Sequence, residues 1–133
     1  MKSFESRKVT LQASDQTVFS LLSNLSNLRR FMPEQITNWS ATEDTCTFTI
    51  QNMTTLSMRI TARVPFERID VNSEGKTPFK FTLQLFLNAL TFTQSEARFV
   101  LIADLNPVFS MMASKPLQNL VDLMITNLET YYS

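Results

Sequence analysis

The alternation of apolar and polar positions divides the chain into a strand-rich middle framed by helices. From Gln35 onward the period is two. Cys46, Phe48 and Ile50 alternate with Thr45, Thr47, Thr49 and Gln51, and Leu56, Met58, Ile60, Ala62 and Val64 alternate with Ser57, Arg59, Thr61 and Arg63. A shorter run around Ile69 and Val71 leads to a turn at Glu74-Gly75-Lys76. Beyond it Phe79, Phe81, Leu83, Leu85 and Leu87 oppose Lys80, Thr82, Gln84 and Asn88, and Ala97, Phe99, Leu101 and Ala103 oppose Glu96, Arg98 and Asp104. Alternation of this kind predicts strands with one wet and one dry face. The short turns between them predict antiparallel pairing, because parallel neighbours need crossovers of about a dozen residues.

Before the strands, Phe4 to Leu11 reads as a first strand rich in charge. Ser14 is then a candidate N-cap with Asp15 in the first turn, and Val18, Leu21, Leu22, Leu25 and Leu28 recur at helical spacing up to Phe31. A break near Ser23-Asn24 divides this stretch into two short helices that stop before Pro33. At the other end Asn106-Pro107 supplies an N-cap and a proline at the first helical position. Leu117, Leu120, Val121, Met124, Ile125, Leu128, Tyr131 and Tyr132 then form a wide apolar stripe opposite Gln118, Asp122, Thr126 and Glu129. Pro116 lies inside this helix and predicts a kink near Met112, whose carbonyl loses its donor; the alternative is two helices meeting at Ser114-Lys115-Pro116.

The prediction is a single α+β domain spanning residues 1–133, with a curved antiparallel sheet of about six to seven strands wrapped around the C-terminal helix. A chain of 133 residues buries about two thirds of its unfolded surface. Twelve basic and twelve acidic side chains cancel and are scattered, which argues against nucleic acid or an anionic membrane as partner. The charged N-terminus and the lack of a long apolar run argue against a leader or membrane insertion. With Cys46 as the one cysteine, a reducing, cytoplasmic setting is expected.

Two absences narrow the chemistry further. There is no histidine, so the commonest general base and zinc ligand is missing. Gly75 is the one glycine, so no glycine-rich phosphate loop can form. By strand parity Glu96, Asp104, Arg59 and Arg63 fall on the wet side, and Cys46 falls on the dry side, where its thiol is expected to be inert. No catalytic residue, metal or cofactor is indicated.

The order of elements resembles the helix-grip fold of the START-like (SRPBCC) superfamily, which includes Bet v 1-type proteins and polyketide cyclases. The residues that carry the resemblance are the helical pair Ser14 to Phe31, the Glu43-Asp44-Thr45 turn with the Cys46 to Ile50 strand, the long hairpin Phe79 to Leu105 and the Asn106-Pro107 helix start. The resemblance implies a hollow between sheet and helix that in relatives holds lipids, sterols, quinones or polyketide intermediates. The chain lacks the glycine-rich loop of the plant Bet v 1-type proteins and the Cys-x-His pair of the Rieske-linked oxygenases. It is also shorter than the full-size lipid-transfer domains, so it looks most similar to the small bacterial members.

On this reading the function is non-catalytic binding or carriage of a hydrophobic small molecule. Cavity candidates are Phe31, Met32, Trp39, Phe48, Ile50, Met58, Ile60, Phe81, Leu83 and Phe99, with Phe109, Met112, Leu120 and Met124 on the long helix. Trp39 reads either as a ligand platform or as a packing aromatic at a strand edge, and Arg29-Arg30 either as an anion clamp or as a basic helix end. Phe86, Val100 and Ile102 are apolar on the wet face, and read either as a patch suited to pairing with a second copy or another protein, or as residues over which the curved sheet folds a neighbouring segment. Two other functions fit the pattern. One is a cyclase- or hydratase-like enzyme using a polar group such as Tyr131, Asp70 or Glu67, and the other is an interaction module with a filled core.

Overall fold

A computed structural model describes residues 1–133. The strands are β1 (Lys2–Glu5), β2 (Val9–Leu11), β3 (Ile36–Ala41), β4 (Thr45–Ile50), β5 (Thr54–Val64), β6 (Arg68–Ser73), β7 (Phe81–Ala89) and β8 (Ser95–Ala103). The helices are α1 (Asp15–Leu22), α2 (Leu25–Leu28), which runs into a single 3-10 turn at Arg29–Phe31, and α3 (Pro107–Tyr131). All strand pairs are antiparallel, in the order β1-β8-β7-β6-β5-β4-β3. β1 and β2 both lie along β8, so eight strands fill seven positions. The sheet cups one face around α3, which forms the fold's central rod.

The first strand breaks because it carries an extra residue. Four steps from Glu5 to Val9 face three steps from Val100 to Ala97, which is a β-bulge. Ser6 fills the gap: its backbone N–H donates to the Phe99 carbonyl, and its hydroxyl accepts from the Phe99 N–H, both at 2.9 Å. A second bulge lies in β3 between Thr37 and Ser40, where Asn38 has a positive φ of 55°. These are the two edges of the sheet, and a bulged edge is a poor template for pairing with another chain.

Helix boundaries follow local chemistry. Ser14 Oγ accepts from the Thr17 N–H and Asn24 Oδ1 from the Ser26 N–H, so α1 and α2 are capped separately and the break falls at Ser23-Asn24. Asn106 Oδ1 accepts from the Phe109 N–H at 2.7 Å and Pro107 opens α3. α3 continues through Pro116 to Tyr131 as one helix, so two helices meeting at residues 114–116 do not form. No helix is long and apolar enough to cross a membrane.

The dry faces of the strands and the stripe of α3 merge into one core of 33 buried residues, among them Phe48, Met58, Leu83, Phe99, Leu117 and Met124. The wet face is charged, with Arg98 paired to Glu5, Arg68 to Asp70 and Arg59 to Glu74. A bulge in β5 between Ile60 and Ala62 reverses the expected parity beyond it: Ala62 and Val64 lie opposite Asp70 and Arg68, and Arg63 lies opposite the buried Ile69, on the helix side, where it donates to the Ser23 carbonyl and pairs with Asp44.

The patch expected at Phe86, Val100 and Ile102 is largely covered. Val100 is 6% exposed, flanked in register by Glu5 and Gln84. The Arg98 guanidinium lies 4.3 Å from the Phe86 ring, and Ile102 is half-buried. Exposed apolar side chains lie elsewhere, at Val108, Met111 and Met112 on α3 and at Leu90 and Phe92 in the β7–β8 turn.

Replacing Pro116 by alanine returns a donor to the Met112 carbonyl. Pro116→Ala is expected to raise the urea midpoint, by less than the roughly 3 kcal/mol that proline costs inside a helix, because α3 stays helical through Pro116 and the folded chain gains back one hydrogen bond. An unchanged or lower midpoint would mean that the ring's packing outweighs the missing hydrogen bond.

Candidate functional site

Between the sheet and α3 the interior holds two small voids. The first is lined by Met32, Phe48, Ile50, Leu56, Met58, Phe79, Phe81, Leu83, Leu101, Leu117 and Leu120, and its volume is about 20 Å³. The second, also about 20 Å³, lies beneath the short helices and is lined by Leu22, Leu25, Leu28, Ile69, Val71, Leu83, Leu85 and Phe99. Leu83 lines both. A single water needs about 10–15 Å³ and several polar partners, so these apolar spaces are dry. Larger depressions of 220, 390 and 630 Å³ are open to solvent and lie on the outer face of the sheet or beside the β7–β8 turn.

Alternation along β4, β5, β7 and β8 turns one residue in two toward this interior, and the stripe of α3 supplies Leu117 and Leu120 from the opposite side. Of the fourteen residues named from the sequence, Met32, Phe48, Ile50, Met58, Phe81, Leu83 and Leu120 line the first void, and Phe99 lines the second. Phe31, Ile60 and Met124 are buried in the surrounding core. Phe31 meets Tyr131 edge-on with centroids 5.3 Å apart, and its carbonyl accepts from Asn127 Nδ2. Trp39 is half-buried and stacks on Phe48 at 5.3 Å. Phe109 is half-buried against Phe79, with centroids 5.2 Å apart.

Met112 departs from expectation, being 67% exposed. Ala113, Leu117, Leu120, Val121 and Met124 set the buried face of α3, and Met112, one step of about 100° before Ala113, falls off it. Leu56, Phe79, Leu101 and Leu117 were on the correct faces but not named as cavity residues. The second void was missed altogether, although the spacing of Leu22, Leu25 and Leu28 already marked the face that closes it.

No titratable side chain lines either void. Asp70 sits on the outer face, accepting from Arg68 Nε and from Gln84 Nε2, and Glu67 is exposed. Tyr131 is about half exposed, and its hydroxyl accepts from Arg30 Nη1 at 3.0 Å. This is the use found for Arg30, whose guanidinium also lies over the Tyr131 ring. Burial raises the Tyr132 pKa, with a smaller contribution from Tyr131 and an opposing one from Arg30.

The two halves of α3 are held differently. Toward the C-terminus Arg7 reaches Thr126 and Glu129 at 3.1 and 3.0 Å, Asn127 bonds the Phe31 carbonyl, and the Gln12 N–H donates to the Tyr132 carbonyl at 2.7 Å. The N-terminal half is tied by Lys2 Nζ to Ser114 Oγ at 2.7 Å and by the contact of Phe109 with Phe79.

No family model matches the sequence, and no curated protein matches it. Solved structures do. A START superfamily protein from Mycobacterium smegmatis superposes with a TM-score of 0.70 at 14% identity, over 98% of this chain and 96% of that one. The chain has the START-like helix-grip fold. The protein XoxI from Bacillus cereus shares it, with a TM-score of 0.77 at 11% identity, over 99% of this chain and 96% of that one. The di-domain ARO/CYC protein BexL of the BE-7585A biosynthetic pathway matches with a TM-score of 0.67 at 13% identity, over 98% of this chain but 46% of its own length. In this helix-grip chain the place where the sheet grips α3 is therefore occupied by packed side chains around two narrow gaps.

Cys46 points into the same interior, and burial pushes its thiol up to about 12. The native thiol is expected to resist Ellman's reagent at pH 8 and to react fully in denaturant. With its folded pKa above its unfolded value, its contribution to stability is complete below about pH 9 and lost as the pH rises toward 12. Fast labelling of the native protein would show that the β4 interior opens readily.

Proposed function

We propose that residues 1–133 act as a unit that binds a hydrophobic small molecule, of lipid, quinone or polyketide-like character, between sheet and α3, and that it does so without catalysis. The observation that carries this reading is the lining: every side chain around both voids is apolar, and one residue, Leu83, lies between them. The neighbours point the same way, being a START superfamily protein and an ARO/CYC protein. A buried thiol kept reduced fits a cytoplasmic setting.

The two voids are far below the roughly 300–1,000 Å³ of ligand pockets, so binding requires expansion. Leu83 turning aside joins the voids. The N-terminal half of α3, which carries the exposed Val108, Met111 and Met112, swings outward about Pro116 while the C-terminal half stays tied. Met32 and Met58 in the lining adapt to varied shapes at low cost. An acid–base reaction inside this space has no group to carry it, which disfavours the cyclase- or hydratase-like alternative.

The small size of the voids favours a second reading, an interaction module with a filled core that works through the exposed residues of α3 and the β7–β8 turn. Native mass spectrometry of freshly purified protein, followed by NMR titration with a fatty acid and a naphthoquinone, separates the two. Saturable one-to-one binding with shifts at Leu83, Leu117 and Leu120 is the result expected for a binder. No adduct and no saturable shift with either compound would overturn it in favour of the filled core.

Leu83→Ala tests the expansion. Removing a buried leucine is expected to cost about 2–5 kcal/mol in urea unfolding and to tighten binding of the same naphthoquinone, because the partition is gone. A destabilised variant that folds and binds no better than wild type would refute the joined-void account.

A further inference from the structure

The molecule contains one buried side-chain polar atom without a hydrogen-bond partner, Trp39 Nε1. Buried donors are nearly always paired, and leaving one unpaired forfeits the hydration it had in the unfolded chain. Its position is not an accident of alternation. Five steps from Ile36 to Ala41 in β3 face four steps from Ile50 to Cys46 in β4. The extra residue is absorbed at Asn38, held at a φ of 55°, a left-handed conformation that few side chains adopt readily. Without this bulge, strict alternation from Ile36 would turn Trp39 toward water. With it, the indole lies against Phe48, whose ring lines the first void. A bulge that re-aims a side chain is a recognised device, and here it brings inward a donor that finds no acceptor.

Resting on the reading of this interior as a ligand site, we propose that Trp39 Nε1–H is its polar recognition element. The ligand class is then a flat or flexible hydrocarbon skeleton bearing an oxygen acceptor, a ketone, quinone or ester carbonyl, seated so that the oxygen meets the indole N–H. The all-apolar lining binds the skeleton, and one donor fixes its orientation. A molecule without an acceptor would leave the N–H unpaired and forfeit that bond.

The matched pair fluorene and 9-fluorenone, alike in shape and differing by one carbonyl, tests this on the intact protein. Trp39 is the one tryptophan in the chain, so its indole gives a single N–H cross-peak. Fluorenone is expected to bind about tenfold more tightly than fluorene and to move the indole proton downfield, whereas fluorene leaves it near its free position. In Trp39→Phe the two compounds are expected to bind equally, and thermal stability should change little, since the donor removed was unpaired. Equal affinities in the wild type with an unmoved indole peak would overturn the assignment and leave the cavity reading intact. Binding of neither compound would overturn both. The wild-type peak decides the matter even if the variant fails to fold.

Discussion

Everything in this structure follows from the need to cover the dry face of one curved sheet with one helix. Alternation gives β4 to β8 a continuous apolar side, and in water that side is worth about 25 cal/mol for each square ångström removed from solvent. α3, 25 residues long, is the only element with a stripe wide and long enough to do this along the full length of the cup. The short helices close the remaining end. Because the cover is a single rod, the fit between rod and cup is decided by side-chain volume, and here large side chains such as Phe48, Phe81, Leu83 and Leu117 nearly fill the space.

The same constraint sorts the chemistry. Charged groups buried on the dry face would have to be desolvated, so they sit on the wet face or, like Arg63, at the rim, where Arg98 pairs with Glu5 on the neighbouring strand, Arg68 with Asp70 along its own strand, and Arg59 and Arg63 with Glu74 and Asp44 in turns. The wet face therefore carries neutralised pairs rather than a field, in keeping with the balance of twelve basic and twelve acidic residues. Such exposed pairs contribute little to stability. They do screen the apolar outliers: the Arg98–Glu5 pair lies beside Val100, and Arg98 lies over Phe86.

How much was legible in the sequence depended on whether a feature was periodic. The strands, their faces as far as Ile60 in β5 and again from β6 onward, the capped breaks at Ser14, Asn24 and Asn106 and the burial of Cys46 all follow from period, cap chemistry or parity, and each is found in the structure. Bulges are invisible to parity, so the interruption at Ser6 and the turning inward of Trp39 were not foreseen. Met112 was misplaced because a stripe read from Leu117 onward fixes the phase of the helix only to within about one residue, or 100°. The outer patch was read from one strand at a time, which left open whether a neighbour covers it; the cover over Val100 comes from Glu5 and Gln84 on the strands to either side, while Phe86 and Ile102 stay half-buried. The volume of the interior was illegible because it is a small difference between two large quantities, the space enclosed by sheet curvature and the space filled by side chains.

That last difference bears directly on recognition. In a preformed pocket an apolar ligand gains its full contact energy, but under the binding proposed for this interior part of that gain would go to moving Leu83 and the N-terminal half of α3. Each 1.4 kcal/mol spent on opening lowers the apparent affinity tenfold. A closed interior therefore selects against small ligands, which make too few contacts to offset the opening, and favours extended ones that replace most of the lost core packing. It also makes an oriented polar contact more decisive than it would be in an open cleft, because a donor surrounded by low dielectric is left unsatisfied until the right acceptor arrives. On the proposed reading tight packing and one orphaned indole N–H would act together, the first setting a threshold of size and the second a requirement of chemistry.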